Sequence, residues 1–146
     1  LGTVHKEQYD VLGPVVNQTS RVEGIAKKVG VNILATSVVA ERVPANRVLT
    51  RRVAKFRPAG MQNEIDLYTI DRAPQSAEER KQIEERFGQH ARGLAAFESG
   101  DWEEAFKVLH PIVETDPAAL YIYSLTLEHK RKAPAGWRGV VEMADK

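Results

Sequence analysis

The sequence predicts an α+β protein in two parts: a layered α/β unit over residues 1–71 and an all-α helical hairpin module over residues 77–146. Three observations carry this. Before residue 72 the apolar residues are rich in Val and Ile and fall in short runs, as strands and short helices require. After it Ala, Glu, Leu and Lys prevail over stretches long enough for helices of several turns. Between the two, residues 72–76 (Arg72-Ala-Pro-Gln-Ser76) read as a linker, and Ser76 with Glu79 fits a capping box that opens a helix.

Taken in order, Gln8 to Leu12 reads as a strand ending at Gly13. Pro14 suits the first turn of the helix after it, where its missing N–H is no loss. Val15, Thr19, Val22, Ala26 and Val29 form an apolar stripe at spacings of three and four, and Gly30 is a natural stop. Val31 to Thr36 is a short β-rich run, and a helix from Ser37 to about Val43 must end before Pro44. Val48 to Phe56 and Glu64 to Ile70 read as two strands joined by a Pro58-Ala-Gly60 turn.

In the second part a helix from about Ala77 to Glu98 stops at Ser99-Gly100. Asp101, with Glu104 three residues on, caps a helix expected to end near Thr115. Asp116-Pro117 then opens a third helix, from Ala118 to about Lys132. A Pro134-Ala-Gly-Trp137 turn and a short tail close the chain.

Composition narrows the function classes. With 21 Lys and Arg against 20 Asp and Glu, the net charge of +1 offers no electrostatic case for nucleic acid or an acidic membrane. The absence of cysteine removes disulfides, thiol nucleophiles and Cys-based metal sites together. The apolar runs fall far short of the ~20 residues that span a bilayer, and no signal peptide is visible. A cytoplasmic chain is the expectation. Leu1 to Val4 read like a domain interior, so a longer parent is expected, with any membrane anchor or sensor upstream.

The chemistry concentrates between Tyr9 and Glu23. On a helix, Asn17 and Arg21 lie one turn apart on one face, continued by Gly24 and Lys28, roughly opposite the valine stripe. That face presents an amide, a guanidinium, an unobstructed backbone and an ammonium. Such a layout suits a phosphorylated substrate, because Arg grips phosphate oxygens in a fork. An Asn and an Arg four apart are common on a solvated helix face and usually carry no function, so the pair alone decides little.

The wider order of residues is more specific. Tyr9-Asp10 at a strand end, then Gly13, then Val16-Asn-x-x-x-Arg21 opening a helix, resembles the class III adenylyl and guanylyl cyclases. The similarity extends through Val31-Asn-Ile-Leu34 and through Phe56-Arg-Pro-Ala-Gly-Met61 and Ile65-Asp-Leu-Tyr68, which look like the family's closing hairpin. It covers residues 1 to about 71 and implies the C-terminal half of a ferredoxin-like catalytic domain. The implied reaction is attack of the ribose 3′-oxygen on the α-phosphate, converting ATP to cyclic AMP and pyrophosphate. Asp10 would read the adenine amino group, Asn17 orient the ribose, and Arg21 stabilise charge on the phosphates. The implied cofactor is Mg2+ or Mn2+, held by two aspartates of the half preceding Leu1. The implied assembly is a homodimer whose site lies between two catalytic domains, so this fragment alone would not turn over.

Two positions depart from the family pattern. Pro14 stands where many bacterial members carry Asp, leaving purine choice to Asp10. Ala59 stands where a phosphate-binding lysine usually precedes the hairpin glycine, with Lys55 and Arg57 the nearby candidates to replace it. Asp66 and Asp71 read as solvent-facing hairpin residues. His5, His90, His110 and His129 share no spacing that suggests a metal site or triad, which points to surface or packing roles.

In the tail, Gly93, Gly100, Trp102, Ala105 and Pro117 fall at spacings similar to a tetratricopeptide repeat. One repeat is too short to stand alone, so it is expected to pack on the catalytic half or on a dimer mate. Trp102 and Phe106 are expected in its core. The alternative to an enzyme is a degenerate, non-catalytic cyclase half whose helical tail is a protein-interaction module.

Overall fold

The computed structural model describes residues 22–143. Helix α1 (residues 22–29) buries Val22, Ile25, Ala26 and Val29, and it ends where the sequence predicts. Gly30 turns at φ +86°, a conformation that only glycine adopts without strain, and the N–H groups of Gly30 and Val31 both donate to the Ala26 carbonyl at 2.9 and 3.1 Å. Strand β1 (Leu34–Thr36) is shorter than the predicted run from Val31, because its register with β3 spans only three residues. Helix α2 (Ser37–Arg42) stops at an extended Val43, as the ring of Pro44 demands.

Strands β2 (Val48–Arg57) and β3 (Ile65–Arg72) form a long antiparallel hairpin. Its turn closes through Met61 N–H donating to the Pro58 carbonyl at 3.1 Å, with Gly60 at φ +76°. A bulge between Arg52 and Ala54 inserts one residue into β2, so that Arg51, Ala54 and Phe56 oppose Thr69, Leu67 and Ile65 in turn. The sheet order is β1-β3-β2-β4, where β4 (Val141–Glu142) runs parallel to β2 beside Phe56 and Arg57. The tail residues that form β4 carry no strand signal of their own. The partner edge of β2 makes them a strand.

Helix α3 (Ala77–Ser99) is capped by Ser76, whose side chain accepts from Glu79 N–H at 3.1 Å. The Glu79 carboxylate reaches back one residue further than a closed capping box would have it, to the N–H of Gln75 at 3.0 Å. Helix α4 (Trp102–Leu109) is capped by Asp101 and ends earlier than predicted. Pro111 lacks the N–H that would continue it, so the chain tightens into a 3-10 turn over His110–Ile112. Helix α5 (Pro117–Glu128) starts on the Asp116 cap, with Pro117 in the first turn. It stops four residues short of the prediction, because Lys130 and Arg131 turn the chain back at φ +56° and +63°.

Helix α3 packs on β2, with α4 and α5 stacked against it, and one apolar cluster runs through both parts, joining Phe56 and Leu67 to Phe97, Leu109 and Ile122. Small residues set the helix spacing. A Cβ added at Gly93 would sit 2.5 Å from Leu109 Cγ, so α3 and α4 approach only because Gly93 has no side chain. Trp102 is 2% exposed, as expected for a core residue, whereas Phe106 is half-buried on the α4–α5 side. The Trp102 and Trp137 indoles donate to the same Phe97 carbonyl at 2.9 and 2.8 Å, beside the Gly100 N–H that reaches it at 3.2 Å, so the last turn of α3 is tied to both indoles. The architecture is a mixed α/β one, a four-stranded mixed sheet with several helices, in keeping with the α+β class.

Candidate functional site

Asp10, Asn17 and Arg21 lie outside the described residues. What the structure does describe is α1, with the two residues, Gly24 and Lys28, that the sequence reading placed on the same face. Gly24 and Lys28 are exposed while Val22, Ile25, Ala26 and Val29 are buried, so α1 has the open polar face that the sequence predicts. A Cβ placed on Gly24 would meet nothing within 4 Å. Beside α1 a cleft of about 680 Å³ runs between Val22, Ala26, Leu34, Val38 and Ile70. Its walls are mostly apolar, and Glu23, Asn32 and Thr36 are its polar members.

At the hairpin, Ala59 occupies the turn and brings no charge. Of the two candidate replacements, Arg57 is already held by Glu64 at 3.2 Å and Glu142 at 3.4 Å. Lys55 has no ion pair among the described residues. It lines a polar pocket of about 290 Å³ with Arg52, Asp66, Glu98 and Arg138. Within that pocket Arg52 is committed to Glu98 (2.6 and 2.9 Å) and Asp66 (3.1 Å), and the Glu98 hydrogen bond outweighs burial in raising the Arg52 pKa. Asp66 is therefore an ion-pair partner, and Asp71 is exposed as expected. Among the described residues no group of three or more His, Asp or Glu side chains is arranged to hold a metal ion.

The strongest electrostatic feature is one that the sequence did not reveal. Arg51 projects from β2 into the interior, where its guanidinium grips Asp116 in a two-pronged pair: Nη1 to Oδ2 at 2.7 Å and Nη2 to Oδ1 at 3.0 Å. Arg51 Nε donates to Thr69 Oγ1 at 3.3 Å, and the guanidinium lies 4.5 Å above the Phe87 ring. Arg86 Nε stands 3.6 Å from the same carboxylate. Asp116 is 1% exposed and also accepts from Ala118 and Ala119 N–H, so one side chain serves as helix cap and as counter-ion. Burial pushes its carboxyl up, but the Arg51 hydrogen bonds and charge, with smaller help from His90 and the Ala119 N–H, carry it below the ordinary carboxylate value.

His90 completes the cluster. It is fully buried, and its Nε2 donates to the Val53 carbonyl at 3.2 Å, which places the proton of the neutral ring on Nε2. Its Nδ1 is buried with no partner. Burial first, then the Arg51 charge, lower its pKa to about 4. An Arg at an inward-facing strand position was the available signal, but its partner lies 65 residues away. Among the described residues no helix is long and apolar enough to cross a membrane.

Fold and site together define an α/β chain whose sheet carries an exposed polar helix face and a helical part locked to it by a buried ion pair. No protein-family model, curated protein or solved structure matches this chain. The functional reading rests on its residues and their arrangement.

Proposed function

We propose that this chain is the C-terminal half of a class III nucleotidyl cyclase catalytic domain of ferredoxin-like fold, carrying a tetratricopeptide-like helical extension. The parent enzyme converts ATP to cyclic AMP and pyrophosphate as a homodimer. Asp10 accepts a hydrogen bond from the adenine amino group, Asn17 orients the ribose, and Arg21 meets the charge that develops on the phosphates. The Mg2+ or Mn2+ ligands belong to the preceding half. The observation that carries the reading is the ordered run from Tyr9 to Glu23. Support comes from the elements C-terminal to that run: a helix with one buried stripe and exposed Gly24 and Lys28, then a strand, a short helix and a long hairpin.

Arg21→Ala in the full-length dimer is the test. A contact that strengthens as charge develops makes kcat fall much more than KM rises. A rise in KM with kcat unchanged would reduce Arg21 to a ground-state binder, and unchanged kinetics would remove it from the site. Purified residues 1–146 with ATP and either metal should release no cyclic AMP above background. Turnover by that chain alone would overturn the assignment of metal ligands to the other half. The interaction-module alternative is favoured by the uncharged Ala59 and by the engagement of Arg57 with two carboxylates.

A further inference from the structure

The chain has two tryptophans, Trp102 and Trp137, and both line one cavity of about 320 Å³ between the end of α5 and the loop that leads into β4. That volume lies at the lower end of the range for small-molecule sites. Phe97 and Trp102, stacked at 4.7 Å and almost wholly buried, form its floor. Trp137 stands edge-on to both rings, at 4.9 and 5.0 Å, as a half-buried wall. Its Nε1 donates to the Phe97 carbonyl at 2.8 Å, and its Cδ1 lies 3.7 Å from where a Cβ on Gly100 would stand. The pyrrole edge is thus taken, which leaves the ring faces to the cavity. Neither indole has an N–H left to donate, since Trp102 Nε1 is bound to the same carbonyl at 2.9 Å.

The polar side chains left open around these rings are acceptors. His129, edge-on to Trp102 at 5.3 Å, holds its Nδ1 3.1 Å from the Leu125 carbonyl, so the proton of the neutral ring sits on Nδ1 and Nε2 keeps its lone pair. Glu142 is 63% exposed and meets Arg57 through Oε1 alone, at 3.4 Å. Arg138 also lines the cavity, but its Nη2 already donates to Glu64 at 3.2 Å. We propose that this cavity binds a small organic cation, an alkylated ammonium group seated against Trp137 with Glu142 as its counter-ion. The face of an indole carries negative potential, which attracts a cation and repels an anion. The Glu142 carboxylate and the His129 lone pair act in the same sense. A quaternary ammonium is also the ligand that asks least of a site whose indole N–H groups are both spent. The proposal draws on none of Asp10, Asn17 and Arg21, and it does not rest on the cyclase reading.

Choline is the probe, and its control is the uncharged isostere in which a tert-butyl group replaces the trimethylammonium. Because both tryptophans of the chain line the cavity, their two indole N–H resonances report on it directly. Choline should move both resonances and should bind about tenfold tighter than the isostere. Glu142→Gln should weaken choline about two- to fivefold, as the loss of an exposed charge pair does. Arg138→Gln should tighten it, because the opposing charge is gone. Trp137→Leu should abolish binding and Trp137→Phe, which keeps an aromatic face, should retain part of it, with circular dichroism separating loss of the site from loss of fold. Glu142 and Arg138 are exposed, so their variants carry the test even where Trp137→Leu fails to fold. Equal affinity for the isostere would reduce the cavity to an apolar pocket and overturn the proposal. So would indole resonances that choline leaves in place, or charge variants whose effects have the opposite signs. None of these results bears on the cyclase reading.

Discussion

Removing Arg51 should be among the most damaging single substitutions in the described part of the chain. The Asp116 carboxylate is 1% exposed, and without Arg51 its nearest cation is Arg86 at 3.6 Å, a poorer distance than the 2.7 and 3.0 Å it loses. Breaking a buried pair from one side costs about 3–5 kcal/mol, because the remaining charge is stranded away from water. The lost Phe87 contact adds a fraction of that. Asp116→Ser is the informative partner. Its hydroxyl can still cap α5 at Ala118 and Ala119, so it removes the charge and keeps the cap. It should cost a similar ~3–5 kcal/mol. The Arg51→Met/Asp116→Ser double variant leaves neither charge stranded and should cost far less than the two single changes summed, with a coupling of roughly 2–3 kcal/mol. Urea unfolding of the four proteins closes the cycle, provided the slope with denaturant stays constant. Additive losses, or single variants within about 1 kcal/mol of the parent, would show that the pair is not the clamp its geometry describes.

Acid should weaken the fold before the carboxylates titrate. His90 is held at about 4 while an unfolded chain takes up that proton near 6.5, so its contribution is complete above 6.5 and is lost as pH falls toward 4. The slope is at most about 1.4 kcal/mol per pH unit, and Asp116, held below its usual value, extends the loss further into acid. His90→Gln keeps a donor for Val53 and should flatten the profile between pH 6.5 and 4; identical profiles would exclude His90 as the cause. On the proposed cyclase reading, Asp10→Ala in the full-length protein should erode a preference for ATP over GTP of about tenfold or more, since a carboxylate facing the guanine carbonyl leaves two acceptors unpaired. An unchanged ratio of kcat/KM values would move base selection to the other half.

What could be read from the sequence was local. Ser76, Asp101 and Asp116 announced three helix starts, Gly30 and Gly100 two ends, and Pro58-Ala-Gly60 the hairpin turn, because each acts on backbone groups within four residues of itself. Gly93 and Ala105, read in the sequence as parts of one repeat, sit where α3 and α4 come closest. The misses were made at a distance. Val141 and Glu142 become a strand only because the edge of β2 is open beside Phe56, and α5 ends through left-handed turns at Lys130 and Arg131 with no glycine to signal them. Arg51 read as one cation in a strand, Asp116 as one more cap, and His90 as one of four unremarkable histidines. Burial and a partner 65 residues away turn them into a cluster.

That cluster bears on how the two parts of the chain act on one another. Asp116 is fixed to β2 through Arg51, and Pro117, the next residue, comes close to the last turn of α1, where a Cβ on Gly30 would lie 3.9 Å from the Pro117 Cβ. The N-terminus of α5 is thus the point where α1, β2 and α3 converge, with Arg86 and Phe87 supplied from α3. The helix is anchored at this one end, while Leu120 and Leu127 stay open along its length and take no part in the anchor. Its attachment and its outer face are carried by different residues, the one by Asp116, Ala118, Ala119 and Ile122, the other by Leu120, Ser124 and Leu127. Substitutions on the outer face should therefore leave the urea midpoint in place, whereas those at Arg51 and Asp116 should lower it.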